Sequence, residues 1–122
     1  MRTKVADITI DPRGFIELKF IPSSEKFDLE EAKLQYKIAT SISKERPYLV
    51  LIDTTQAIIT PNEEAQKFIA ELDDRLAEAF VIKSLGYRLL SKFYIKLSTK
   101  NPVRVFKDRE SAIAWLLSFK RD

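Results

Sequence analysis

Apolar residues come early and in short runs. Ile8 and Ile10, then Phe15, Ile16, Leu18, Phe20 and Ile21, predict two short strands. Between them, Asp11-Pro12-Arg13-Gly14 predicts a hairpin turn, with proline presetting φ at the second position and glycine ending the turn. The spacing then changes to that of a helix. Asp28 opens it, Glu31 completes a capping-box pattern, and Leu29, Ala32, Tyr36, Ala39 and Ile42 share one face. After Pro47, the run Tyr48-Leu49-Val50-Leu51-Ile52 is apolar throughout, as expected of a strand covered on both faces. In Thr60-Pro61-Asn62-Glu63 the pattern predicts Thr60 as N-cap, Pro61 as first helical residue and Glu63 reaching back to the Thr60 amide. Ala65, Phe68, Ile69, Leu72 and Leu76 continue at helical spacing.

Ala79-Phe80-Val81-Ile82 reads as another buried strand, and Ser84 as the cap of a helix running to about Leu97. Asn101-Pro102 breaks that helix, and Val103-Arg104-Val105-Phe106 forms the last strand. Asp108 then caps a final helix bearing Ala112, Ile113, Trp115, Leu116 and Phe119. The order is ββαβαβαβα. It predicts an α/β fold: a mixed sheet with an antiparallel first hairpin and helices packed around it.

At 122 residues the chain is expected to form a single domain, 1–122, since two independent cores would be too small. Eight phenylalanines, four tyrosines and a tryptophan supply a core without staples. Cysteine and histidine are both absent. That removes disulfides, thiol nucleophiles, Ser-His-Asp catalysis and typical structural zinc, while a magnesium site built from carboxylates stays open. Apolar runs fall well short of the roughly 18–20 residues of a membrane span. The basic start, Met1-Arg2-Thr3-Lys4, leads into no apolar signal core, so a cytoplasmic protein with no integral membrane segment is expected.

The element order, together with Ser84, Arg88, Phe93-Tyr94, Pro102-Val103-Arg104-Val105-Phe106-Lys107-Asp108 and Ala112-Ile113-Ala114-Trp115-Leu116, resembles the STAS domains, in particular the small stand-alone SpoIIAA-like or SEC14-like members. The resemblance implies a STAS/SpoIIAA-like fold and an interaction module, often regulatory, with no chemistry of its own. In classical members a serine in an Asp-Ser-Ser-Gly-like loop, at the start of the second helix, is phosphorylated by a partner kinase. The equivalent stretch here runs from Asp53-Thr54-Thr55 through Thr60-Pro61-Asn62 and holds neither serine nor glycine, so the phosphoswitch is not carried over. Asp53, Thr54, Thr55 and Thr60 remain as switch-loop candidates.

Charge is distributed unevenly. From Lys83 to Arg109 there are eight Lys or Arg and one acid, Asp108, a balance of +7, whereas residues 1–82 carry a balance of −4. Arg88, Lys92, Lys96 and Lys100 recur every four residues and form one cationic stripe on the expected helix. Tyr87 and Tyr94 widen the apolar arc beside it. Tyr87, Arg88, Lys92, Tyr94 and Lys96 are therefore the candidate partner-binding surface, with an ordinary solvated face as the alternative. Lys83, Ser84 and Arg88, at the start of the same helix, are a candidate anion site, with a plain capped helix as the alternative. The acids Glu63, Glu64, Glu71, Asp73 and Asp74 of the preceding helix region suit self-association with the basic stripe, as in a homodimer.

Asp53, Lys83 and Ser84 at successive strand ends mimic a phosphoacceptor receiver, but the acidic metal-binding pair that a receiver needs after its first strand is missing. Asp53 reads better as a structural carboxylate pairing with Lys83. No nucleic-acid-binding motif is visible. The expected role is a non-catalytic interaction or regulatory module without cofactor or metal. The alternative is a small carrier for a lipid or other anionic ligand.

Overall fold

The structure, a computed structural model, describes residues 1–72, 74–85 and 101–119. Its elements are β1 (Ala6–Ile10), β2 (Phe15–Phe20), α1 (Leu29–Ile42), β3 (Tyr48–Asp53), α2 (Glu63–Ala70), β4 (Arg75–Val81), β5 (Val103–Phe106) and α3 (Arg109–Leu117). The strands form one mixed sheet in the order β1-β2-β3-β4-β5, with β1 antiparallel to β2 and every later pair parallel. The expected mixed α/β sheet with a leading hairpin is present. The helix expected between Ser84 and Leu97 lies outside the described residues.

The two-residue period of a strand divides the core between the sheet faces. On one face, Ile16, Leu18, Phe20, Val50 and Ile52 pack with Phe27 and with Ala32, Ile38 and Ala39 of α1 and Ala65 of α2. On the other, Phe15, Leu49, Leu51, Ala77, Ala79 and Val81 pack with Ala112 and Leu116 of α3. All six residues of β3 are buried, as its unbroken apolar run predicts. The outer edge of β1 is covered by the residues before it: Ile8 N donates to Met1 O (2.8 Å) and Thr3 N to Ala6 O (2.7 Å). A covered edge offers no free ladder to a second chain.

Local chemistry accounts for the turns and caps. Asp11 Oδ1 accepts from Arg13 N at 2.8 Å, and Gly14 takes φ 102°, a value that suits a residue without Cβ. Asp28 caps α1 through Glu31 N (3.0 Å), and Asp108 caps α3 through Ser111 N (2.8 Å). The reciprocal half of the first capping box does not form, because Glu31 is buried and accepts from Gln35 Nε2 at 2.8 Å. At the end of α1, Lys44 (φ 57°) and Glu45 (φ 61°) both adopt left-handed backbone, at a cost of about 1–2 kcal/mol each. Glu45 N donating to Thr40 O (2.8 Å) helps hold that turn and aims the chain into β3.

Two expected boundaries move. α2 is capped by Asn62, whose Oδ1 accepts from Ala65 N at 2.9 Å, so Thr60 is not the cap and stands exposed. Pro61 is held extended in a bridge to Phe27, with Asn62 N donating to Phe27 O at 2.9 Å, so the helix starts only after it. Asn62→Ala should therefore cost about 1 kcal/mol in urea unfolding, while Thr60→Ala stays within about 0.5 kcal/mol of the parent. The second change is that β4 begins at Arg75 rather than Ala79, and Leu76 belongs to it, not to α2. Leu72 and Leu76 happen to fall at helical spacing. Before Val81, the strand's buried positions are the small Ala77 and Ala79 and the charged Arg75 and Glu78, all of which a hydrophobic count underweights.

Candidate functional site

In open α/β sheets the carboxyl ends of the parallel strands collect functional groups. Here that edge gathers the loop 54–62 after β3, residues Lys83–Leu85 after β4, and the start of α3 after β5. Asp53 closes β3 and is 1% exposed. Its Oδ1 accepts from Thr55 N at 2.8 Å, and its Oδ2 accepts from Arg109 Nη1 at 2.8 Å. The same Arg109 nitrogen donates to Glu17 Oε1. Glu17 and Asp53 lie on the sheet face that α3 covers, which lets one guanidinium at the head of α3 reach both. The arrangement is a latch joining β2, β3 and α3.

Burial pushes the Asp53 carboxyl up, but the Thr55 amide and hydroxyl and the Arg109 guanidinium outweigh it, and the group stays below its ordinary value. Burial likewise works against the Arg109 charge, and Glu17 and Asp53 more than compensate, raising its pKa. A carboxylate with both oxygens bonded is a poor general base or phosphoacceptor, since either role requires breaking those bonds first. Among the described residues, no cluster of three or more acids converges to hold a metal ion. No helix among them is long and apolar enough to cross a membrane.

The remaining switch-loop candidates separate by exposure. Thr54 is buried, and its Oγ1 donates to Val81 O at 2.7 Å. Thr55 and Thr60 are exposed on the loop. Of the anion-site candidates, Lys83 and Ser84 are exposed at the end of β4, and Arg88 lies outside the described residues. The candidate partner-binding residues Tyr87, Arg88, Lys92, Tyr94 and Lys96 also lie outside them. The cation gripping Asp53 is Arg109, where the sequence pointed to Lys83. Sequence reasoning missed Arg109 and Glu17. For Glu17 the signal was an acid at a strand position whose neighbours Ile16 and Leu18 are apolar; Arg109, at the head of α3, had no such signal. It also missed the exposed Ile58 (39%) in the loop and did not weigh Leu85 (63%) as surface.

No curated protein matches this chain. Among solved structures, it is similar to an uncharacterized protein of the DUF3478 family with a SpoIIAA-like fold from Shewanella loihica PV-4. The two are 14% identical, the match covers 95% of this chain and 98% of that one, and the TM-score is 0.64. That likeness establishes a SpoIIAA-like fold. A family model described as a domain of unknown function, DUF7793, matches residues 13–120. The chain belongs to the DUF7793 family.

Proposed function

We propose that this domain works by non-catalytic protein–protein interaction, in a regulatory setting, through the carboxyl edge of its sheet and the basic stretch that follows β4. One contrast carries the reading. Asp53, the acid that closes β3, is held at both oxygens by Thr55 and Arg109, while Ile58 and Leu85 expose apolar side chains on the loops of the same edge. Exposed apolar residues beside cations suit a partner that brings an apolar ridge and acids. Charge supports the same reading: the sequence from Lys83 to Arg109 carries +7, which favours an acidic partner. Self-association as a homodimer is part of the proposal, with Glu63, Glu64 and Glu71 as the complementary acids.

The test compares the parent with Ile58→Asp/Leu85→Asp and with Arg88→Glu/Lys92→Glu/Lys96→Glu. Tagged proteins are cross-linked in cells and their neighbours identified by mass spectrometry, and light scattering gives the oligomer. Both variants should lose the parent's cross-linked neighbours, self-contacts included, while keeping its melting temperature. Neighbours unchanged in both variants would refute the surface.

A further inference from the structure

The amino edge of the sheet carries a different feature. A half-open groove of about 700 Å³ runs across the starts of the parallel strands. That size is usual for a small-molecule site. Its walls include Ile10, Phe15, Leu49, Leu76 and Phe119. Ile10 is 54% and Leu76 48% exposed, so two large aliphatic side chains meet water on its walls. The fold explains why they gather. The hairpin brings Ile10 beside the start of β2, and an irregularity in the β3–β4 register next to Leu76 leaves that residue facing out. α1 and α3 both run back from the carboxyl edge, so Ser43 and Phe119 at their ends arrive on this side.

One charged side chain lines the groove, the exposed Arg46, and it has no carboxylate partner among the described residues. No acid lines the groove among the described residues. The left-handed pair Lys44 and Glu45 places Arg46 and Pro47 at its lip. Helix C-termini disfavour anions, and two point toward this edge. Part of each last turn is already engaged, however: Thr40 O accepts from Ser43 Oγ (3.1 Å) and Trp115 O from Ser118 N (3.1 Å). The one full charge among the described lining residues, Arg46, is positive. A polypeptide occupant would bring an amide and a carbonyl at every residue, and this largely apolar wall would leave most of them unbonded.

We propose that the groove binds a linear amphipathic carboxylate, its hydrocarbon chain against Ile10, Leu49, Leu76 and Phe119 and its head group at Arg46. This goes beyond the interaction reading and is independent of it, because the groove lies at the opposite edge of the sheet from Ile58 and Leu85. The experiment is calorimetric titration of the purified full chain with dodecanoate, kept below its micelle concentration. Saturable one-to-one binding is expected, weakened about tenfold or more by Arg46→Glu and by Leu76→Asp. Dodecyltrimethylammonium, with the same chain and the opposite charge, should bind correspondingly less tightly. Ile58→Asp/Leu85→Asp should bind dodecanoate as the parent does, which separates this proposal from the interaction surface. Absence of saturable binding, or equal affinity in the parent and Arg46→Glu, overturns the proposal. So does a parent dimer that Leu76→Asp splits into monomers, since a second copy would then fill the groove.

Discussion

Arg75→Met will destabilise the fold by about 3–5 kcal/mol, and Arg75→Met/Glu78→Leu will recover most of that loss. Arg75 begins β4 and is buried, and its Nη1 donates to Glu78 Oε1, which is buried as well. The register irregularity in β4 makes the pair possible. Arg75 lies opposite Tyr48 and Glu78 opposite Val50, two positions apart on β3, so both side chains emerge on one face although they are three positions apart on β4. Burial opposes the Arg75 charge, yet Glu78 and Tyr48 keep its pKa above the ordinary value, so the guanidinium stays charged. Removing it leaves a carboxylate enclosed without a cation, which is among the largest single-site penalties a fold can suffer.

Removing both charges is different, because desolvation of the ions disappears with their attraction. Three buried polar atoms nearby, Tyr48 Oη, Asp74 Oδ1 and Arg75 Nε, have no hydrogen-bond partner among the described residues. The ionic arrangement is thus only partly satisfied, which favours the apolar replacement. Urea unfolding followed by Trp115 fluorescence measures all three proteins. A single-variant loss below about 1 kcal/mol would show that the pair is solvated rather than enclosed.

Features written in consecutive residues were readable before any coordinates. Asp28 and Asp108 cap helices because an N-cap needs only its own side chain and an amide three residues on. β3 declared itself because no polar residue interrupts Tyr48–Ile52. Features set by distant contacts were not readable. Thr60 and Asn62 are equally able to cap, and the choice falls to Asn62 because Phe27, more than thirty residues earlier, holds Pro61 extended. Leu76 matched a helical period by coincidence, and only the sheet register assigns it to a strand. The latch is the clearest case. Arg109 lies 56 residues from Asp53 and 92 from Glu17, and no local pattern links them. The groove depends on five chain segments meeting at one edge, so its apolar walls read, one by one, as ordinary strand and helix residues.

Arg109→Met should cost about 2 kcal/mol at pH 7 and progressively less as the pH is lowered. The figure is below that for Arg75 because Arg109 is partly exposed and solvent screens part of its charge. In the parent, the folded pKa of Asp53 lies under its free value of 3.8. Its contribution to stability is therefore complete above that value and disappears as the pH falls through the folded pKa. Without the guanidinium, burial still raises the Asp53 pKa, and the Thr55 amide is left as its main support. The folded pKa therefore lies closer to the free value than in the parent, so less of the variant's stability depends on the ionised carboxylate and its pH profile is flatter. The two proteins should differ least near pH 3 and most near pH 7, which urea unfolding across that range can measure. Glu17→Gln keeps the bond from Arg109 to Asp53 and should leave the parent's pH profile in place at somewhat lower stability. A gap of constant size between the parent and Arg109→Met would mean that the guanidinium contributes packing rather than charge, and Asp53 would then have to be held by Thr55 alone.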